Sequence, residues 1–180
     1  ISDDIDNIFK HISAADIVLY AMPIYSFSFP AKLKALFERM YALGDNRKLT
    51  LSDNGLIFHE IDKSICGKPF LLLVSYGNIE YSAVKSTINY FKALSAFTDS
   101  KIIVILKRNT AILLMDDTKG DENNKPPAIK EIFKAYETAG IELGHSGQIT
   151  SKTQKIANKE VIAIPLFKYL KHLKLKLFKN

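Results

Sequence analysis

Cysteine is almost absent from this chain: Cys66 stands alone among 180 residues. One thiol forms neither an internal disulfide nor a thiolate metal site. Such usage is compatible with a reducing compartment, and a cytoplasmic location is expected. Also missing is any apolar run near the ~20 residues needed to span a bilayer. The sequence holds no G-x-S-x-G elbow, no Walker loop and no G-x-G-x-x-G. Hydrolase, NTPase and Rossmann dehydrogenase readings therefore have no support. His11, His59, His145 and His172 are scattered, and none has a partner at metal-ligand spacing. All four read as structural or exposed, so no metal site is expected. The chain starts at Ile1 without an initiator Met or a signal peptide. Its natural beginning is expected to lie upstream.

What is present is ordinary for a globular protein, and the length suggests one domain with a sizeable core. The charge is uneven. Residues 151–180 carry eight Lys and one Glu, a balance of +7, which against +6 overall leaves −1 for residues 1–150. The basic character belongs to the tail, and a nucleic-acid partner is not expected.

Three short apolar runs stand out: 17–22, 70–75 and 101–106. Each reads as a parallel strand buried on both faces. Helical spacing recurs at 3–14, about 30–43, about 80–95 and 128–140, the last ending at Gly140. Residues 45–68 read as polar and irregular, and 107–128 as a long connection. The alternation predicts an α/β fold with a parallel sheet between two layers of helices. The expected domain spans 1–146, followed by a basic extension, 147–180. Leu166, Leu170, Leu173 and Leu177 make an amphipathic stripe there. A docked helix is favoured over contact with an anionic membrane.

In open α/β sheets, ligands bind outside the carboxyl ends of the strands. After the first strand comes Pro23, Ile24, Tyr25, Ser26, Phe27 and Ser28, before a helix opening at Pro30. Rings mixed with hydroxyls suit a flat heteroaromatic ligand with polar edges. The alternative is a surface turn whose rings pack on the next helix. After the second strand come Ser75, Tyr76, Gly77 and Asn78. Gly allows close backbone approach and Asn tolerates unusual dihedrals, although an ordinary strand-to-helix turn wants the same residues. Glu80 and Tyr81 read as the helix start. Lys32 and Lys34 could attract a phosphate, but a solvated helix face is the simpler reading. Arg39 reads as an ion pair or subunit contact, and Cys66 as a buried or loop thiol.

One block, DDIDNIFKHISAADIVLYAMPIYSFSFPAKLKALFERM, resembles the NAD(P)H-dependent FMN reductase and iron–sulfur flavoprotein family. The matching features are Asp3-Asp4 before a helix, Ala15-Asp16 before the strand and Pro23-x-Tyr25 after it. Pro30-Ala31-x-x-Lys34 and Glu38-Arg39 follow. Glu38 departs from the Asp usual in the family. With SYGN and KEIFKAYETAGIEL, the resemblance covers roughly residues 3–143. It implies a flavodoxin-like three-layer sandwich whose first two strands and phosphate-binding loop lie outside this chain. It implies FMN held by 23–28 and 75–78, with NAD(P)H as hydride donor. A quinone, a flavin or an iron–sulfur centre, as small molecule or protein, would accept the electrons. A homo-oligomer is expected. Two other readings stay open: a flavodoxin-type electron carrier, and an interaction domain that has lost its flavin site.

Overall fold

The computed structural model describes residues 4–114 and 126–161. Three parallel strands form the sheet: β1 (Val18–Pro23), β4 (Phe70–Ser75) and β5 (Ile102–Arg108), in the order β1-β4-β5. Between β1 and β4 lie α2 (Ala31–Tyr41), β2 (Asp45–Leu51), β3 (Ile57–Glu60) and α3 (Lys63–Cys66). Helix α1 (Ile5–Ala14) precedes β1, and α4 (Ser82–Thr98) links β4 to β5. After a 3-10 turn (Ala111–Leu114) come α5 (Pro127–Ser146) and α6 (Ser151–Ala157).

Strand β4 is central, and its unbroken apolar run is the consequence. Leu72 and Val74 pack with Ile12, Phe37, Val84 and Phe91 on the face covered by α1, α2 and α4. Leu71 packs with Leu106, Ala135, Ala139 and Ala157 on the other face, beneath α5 and α6. This is a parallel sheet between two helical layers, as expected from the alternation.

Four expectations need correction. Burial of β1 on both faces holds only toward α2 and α4, where Met22 is buried. On the α5 side Leu19 is 53% exposed, because a cavity separates β1 from that helix. Residues 45–68 are not irregular: β2 and β3 pair as an antiparallel ribbon, with Leu49 opposite His59. The third strand runs to Arg108 rather than ending at Leu106. Helix α5 does not stop at Gly140 but at Gly147, which adopts φ +68° and returns its N–H to the Leu143 carbonyl. Left-handed backbone at that position is what glycine supplies. Gly140 is tolerated inside the helix while Ala139 and Leu143 bury on either side of it.

Residues beyond 147 pack on the sheet through α6. The side chains of Gln154 and Asn158 lie along the outer edge of β5. The Asn158 amide donates to the Ile105 carbonyl at 3.1 Å, and its Oδ1 accepts from the Lys107 N–H at 2.6 Å. Gln154 donates to the same Ile105 carbonyl at 3.3 Å. The expected helix over 165–178 lies outside the described residues, as does His172. Among the described residues no helix is long and apolar enough to cross a membrane, and no cluster of His, Cys, Asp or Glu could hold a metal.

Candidate functional site

The carboxyl ends of the three strands are stitched into one surface. Pro23 stands in register with Ser75, and Ser75 with Arg108. The Ile24 N–H donates to the Ser75 carbonyl at 2.8 Å. The Tyr76 N–H donates to the Arg108 carbonyl at 2.9 Å, and its own carbonyl accepts from Ala111 at 3.1 Å. The Thr110 N–H reaches the Asn78 carbonyl at 3.3 Å. The two candidate loops, 23–28 and 75–78, are therefore neighbours, and the end of β5 joins them.

Loop 23–28 is a tight reversal. Tyr25 and Ser28 exchange backbone hydrogen bonds at 2.8 and 2.9 Å. The two residues between them, Ser26 and Phe27, have φ +48° and +65°. Paired positive φ values define the hairpin-type turn that normally takes Asn-Gly. A bulky residue such as Phe27 is an outlier there, at a cost of order 1–3 kcal/mol. Two anchors hold it. The Ser86 hydroxyl of α4 donates to the Phe27 carbonyl at 2.6 Å. Phe29 packs against Phe37, Tyr90 and Phe91 at centroid distances of 6.1, 4.7 and 5.6 Å. Tyr25 and Phe27 are each 65% exposed, so neither ring packs on the neighbouring helix as an ordinary surface turn would have it. Ser26 and Ser28 are also exposed.

Loop 75–78 divides by residue. Tyr76 is buried in the core, and burial raises its phenol pKa. Gly77 and Asn78 are exposed. A Cβ added at Gly77 would meet nothing within 4 Å, so the surface there is open to close approach. Tyr81 sits at the N-cap of α4.

Sequence reasoning missed the end of β5. Arg108, Asn109 and Thr110 are all buried, and Thr110 has φ +47°. The Arg108 guanidinium donates to the carbonyls of Ala157 and Lys159 and to Asn109 Oδ1. Burial pulls its pKa down, opposed by nearby Tyr136 and Tyr76. The available signal was positional: Arg-Asn follows an apolar strand at the same end that produced the other two loops.

The remaining residues are quieter. Lys34 pairs with Glu38 at 3.3 Å and lies 5.7 Å from the Tyr90 ring centre. Burial pushes the Cys66 thiol up to about 11. His59 is buried between Phe58 and Tyr41, with ring centroids at 4.1 and 4.4 Å.

Comparison with known proteins fits this architecture. The iron–sulfur flavoprotein of Methanosarcina thermophila is 46% identical over 43 residues, which are 24% of this chain and 22% of that protein. The match thus spans about a fifth of the relative's length. A solved NADPH-quinone reductase from P. pentosaceus has TM-score 0.51 at 16% identity, covering 76% of this chain and 74% of that one. The Trp repressor binding protein from Bacillus subtilis gives 0.49 at 20% identity, covering 77% and 69%. The sequence model of the flavodoxin-like fold family matches residues 1–138. Most of the chain, including all three parallel strands and both candidate loops, falls within that match; the protein belongs to the family with the flavodoxin-like fold.

Proposed function

We propose that the carboxyl edge of the sheet holds the isoalloxazine ring of FMN, and that the chain serves an NAD(P)H-dependent flavin oxidoreductase. The observation that carries this reading is the turn at Ser26 and Phe27. A bulky residue is held at positive φ with its ring, and that of Tyr25, offered to solvent beside a strand's carboxyl end. Strain of that kind clusters at ligand sites, and exposed rings suit a flat aromatic ligand.

Tyr25 and Phe27 would cover a face of the ring. Hydroxyls of Ser26, Ser28 and Ser75, with backbone groups of Ile24 and Asn78, would meet its polar edge. Gly77 leaves room for that edge to approach, while Pro23 and Tyr76 shape the floor. Bound there, FMN supplies hydride acceptance from NAD(P)H and onward electron transfer. The chain's own residues bind the ring, orient it and shield one face from water. No side-chain acid or base is assigned to the hydride step.

The names of an iron–sulfur flavoprotein and an NADPH-quinone reductase support the reading. A quinone, a second flavin or an iron–sulfur centre is the proposed acceptor class. A homo-oligomer in the cytoplasm belongs to the same proposal.

Titrating FMN into the full-length protein, with the phosphate-binding loop that the resemblance places upstream, tests it. Stacking on Tyr25 and Phe27 should quench flavin fluorescence, and replacing both by Ala should abolish the quenching. Absence of quenching at millimolar FMN in the unsubstituted protein would overturn the reading.

A further inference from the structure

The ribbon of β2 and β3 presents apolar side chains to solvent. Leu49, Leu51 and Ile57 are 72%, 70% and 66% exposed. Leu51 stands opposite Ile57, and Leu49 lies two residues from Leu51, so all three share one face of the ribbon. Single exposed leucines are ordinary, whereas a contiguous apolar set marks an interaction surface.

The edge of the ribbon is open as well. The Ser52 N–H donates to the Leu56 carbonyl at 2.9 Å. By the alternation of an antiparallel ladder, Ser52 and Thr50 turn their backbone groups toward β3, while Leu49 and Leu51 turn theirs outward. Those outward groups have no hydrogen-bond partner among the described residues. The open window is closed on either side. Asp45 Oδ1 accepts from the Arg47 N–H at 3.1 Å, and Asp99 Oδ1 from the Asp53 N–H at 2.9 Å.

This edge lies away from β1, where the resemblance places further strands. Asn54 donates to the Ala96 carbonyl at 3.3 Å, and Phe58 packs on Phe97 at 5.4 Å. The ribbon is thus seated at the end of α4 that leads into β5, the amino end of the sheet. The described residues stop beyond Ala111 and Lys159, which bond to Tyr76 and Arg108 at the carboxyl end.

The segment reads Arg47-Lys48-Leu49-Thr50-Leu51-Ser52-Asp53. Reversed on itself about Thr50, it sets Leu49 against Leu51, Lys48 against Ser52 and Arg47 against Asp53. Apolar meets apolar, opposite charges meet, and no like charges face each other. Nε and Nη2 of Arg47 hold Asp45, and Nη1 remains for a second carboxylate. We propose that a second copy of this chain pairs here, β2 against β2 and antiparallel, about a two-fold axis at Thr50. Leu49 exchanges backbone hydrogen bonds with Leu51 of the second copy, and the two ribbons become one four-stranded sheet. A segment that complements itself names its occupant, because a second copy carries the matching pattern by identity. Pairing would also remove the hazard of an exposed edge. The inference gives the proposed homo-oligomer a surface and does not rest on the flavin reading, whose loops lie at the other end of the sheet.

Sedimentation equilibrium on the full-length protein should give an even-numbered assembly at micromolar concentration. Leu51→Pro removes one outward N–H and none that faces β3, and should halve that mass. Thr50→Cys is the second test, and decides if Leu51→Pro does not fold. Paired Thr50 Cα atoms would lie about 4.5 Å apart, within the roughly 4.4–6.8 Å that a disulfide spans. Oxidised glutathione should therefore link Thr50→Cys into a covalent dimer. Asn46→Cys is the control for register. Asn46 is also exposed, but its counterpart in the second copy would lie roughly 27 Å away along the strand, so it should stay unlinked. A monomeric parent would overturn the proposal. So would an unlinked Thr50→Cys, Asn46→Cys linking as readily, or a folded Leu51→Pro of unchanged mass.

Discussion

Pro23 and Ser75 face each other at the carboxyl ends of adjacent parallel strands, and Ile24 carries the ladder one bond further by donating to the Ser75 carbonyl at 2.8 Å. Everything proposed for the site depends on that junction. It brings a turn that follows one strand against a turn that follows the next.

The turn itself should separate binding from stability. Phe27→Gly relieves a positive φ that phenylalanine tolerates poorly. It should raise folding stability by on the order of 0.5–1 kcal/mol. The same change deletes an exposed ring and should weaken FMN binding. Denaturant melts and flavin titration on one variant check both signs, and equal or lower stability would count against strain at this position.

Gly77→Val is expected to leave the melting temperature nearly unchanged, since its Cβ meets no atom within 4 Å and no positive φ is required. Surface changes of this kind usually stay within about 0.5 kcal/mol. Flavin affinity should nevertheless fall. Unaltered affinity would move the site away from this loop.

Ser86→Ala removes the hydroxyl that donates to the Phe27 carbonyl at 2.6 Å. The loss should be about 0.5–1.5 kcal/mol. Faster amide exchange at residues 25–28 than in the parent protein is the local sign to look for.

Acid should loosen the junction of α5 and α6. Hydrogen bonds from the Thr150 N–H and the Thr153 and Thr150 hydroxyls hold the Glu142 carboxyl below its ordinary 4.5. Its folded value is depressed, so its contribution is present above the ordinary value and is lost as pH falls through the folded one. Glu142→Gln should flatten the fall of the melting temperature as pH drops below about 4.5, relative to the parent. Parallel curves would show that the carboxylate contributes nothing.

Cys66 should resist alkylation in the folded protein. With its pKa raised from 9.0 to about 11, the thiolate population near neutral pH falls about a hundredfold. Rapid labelling without denaturant would contradict the burial that causes the shift.

The strands were legible because their apolar runs have one physical explanation, burial in a covered parallel sheet. Leu72 and Val74 face one helical layer and Leu71 the other, so no polar position interrupts them. The ribbon of β2 and β3 was not legible. Its apolar residues Leu49, Leu51 and Ile57 are mostly exposed, so no buried face imposes an alternation of polar and apolar positions. Gly140 misled because composition cannot distinguish a glycine inside a helix from one that ends it; only Gly147 has the positive φ. In the candidate site, the exposed loops announced themselves by rings and hydroxyls. Arg108 did not, since its environment is assembled from α5 and the segment after α6, far away in the sequence.

The amides of Gln154 and Asn158 reach the carbonyl of Ile105, and Asn158 also accepts from the N–H of Lys107. In effect two side chains impersonate a neighbouring strand, and they terminate the sheet as a chain stopper terminates a polymer. Growth beyond β5 is blocked by chemistry.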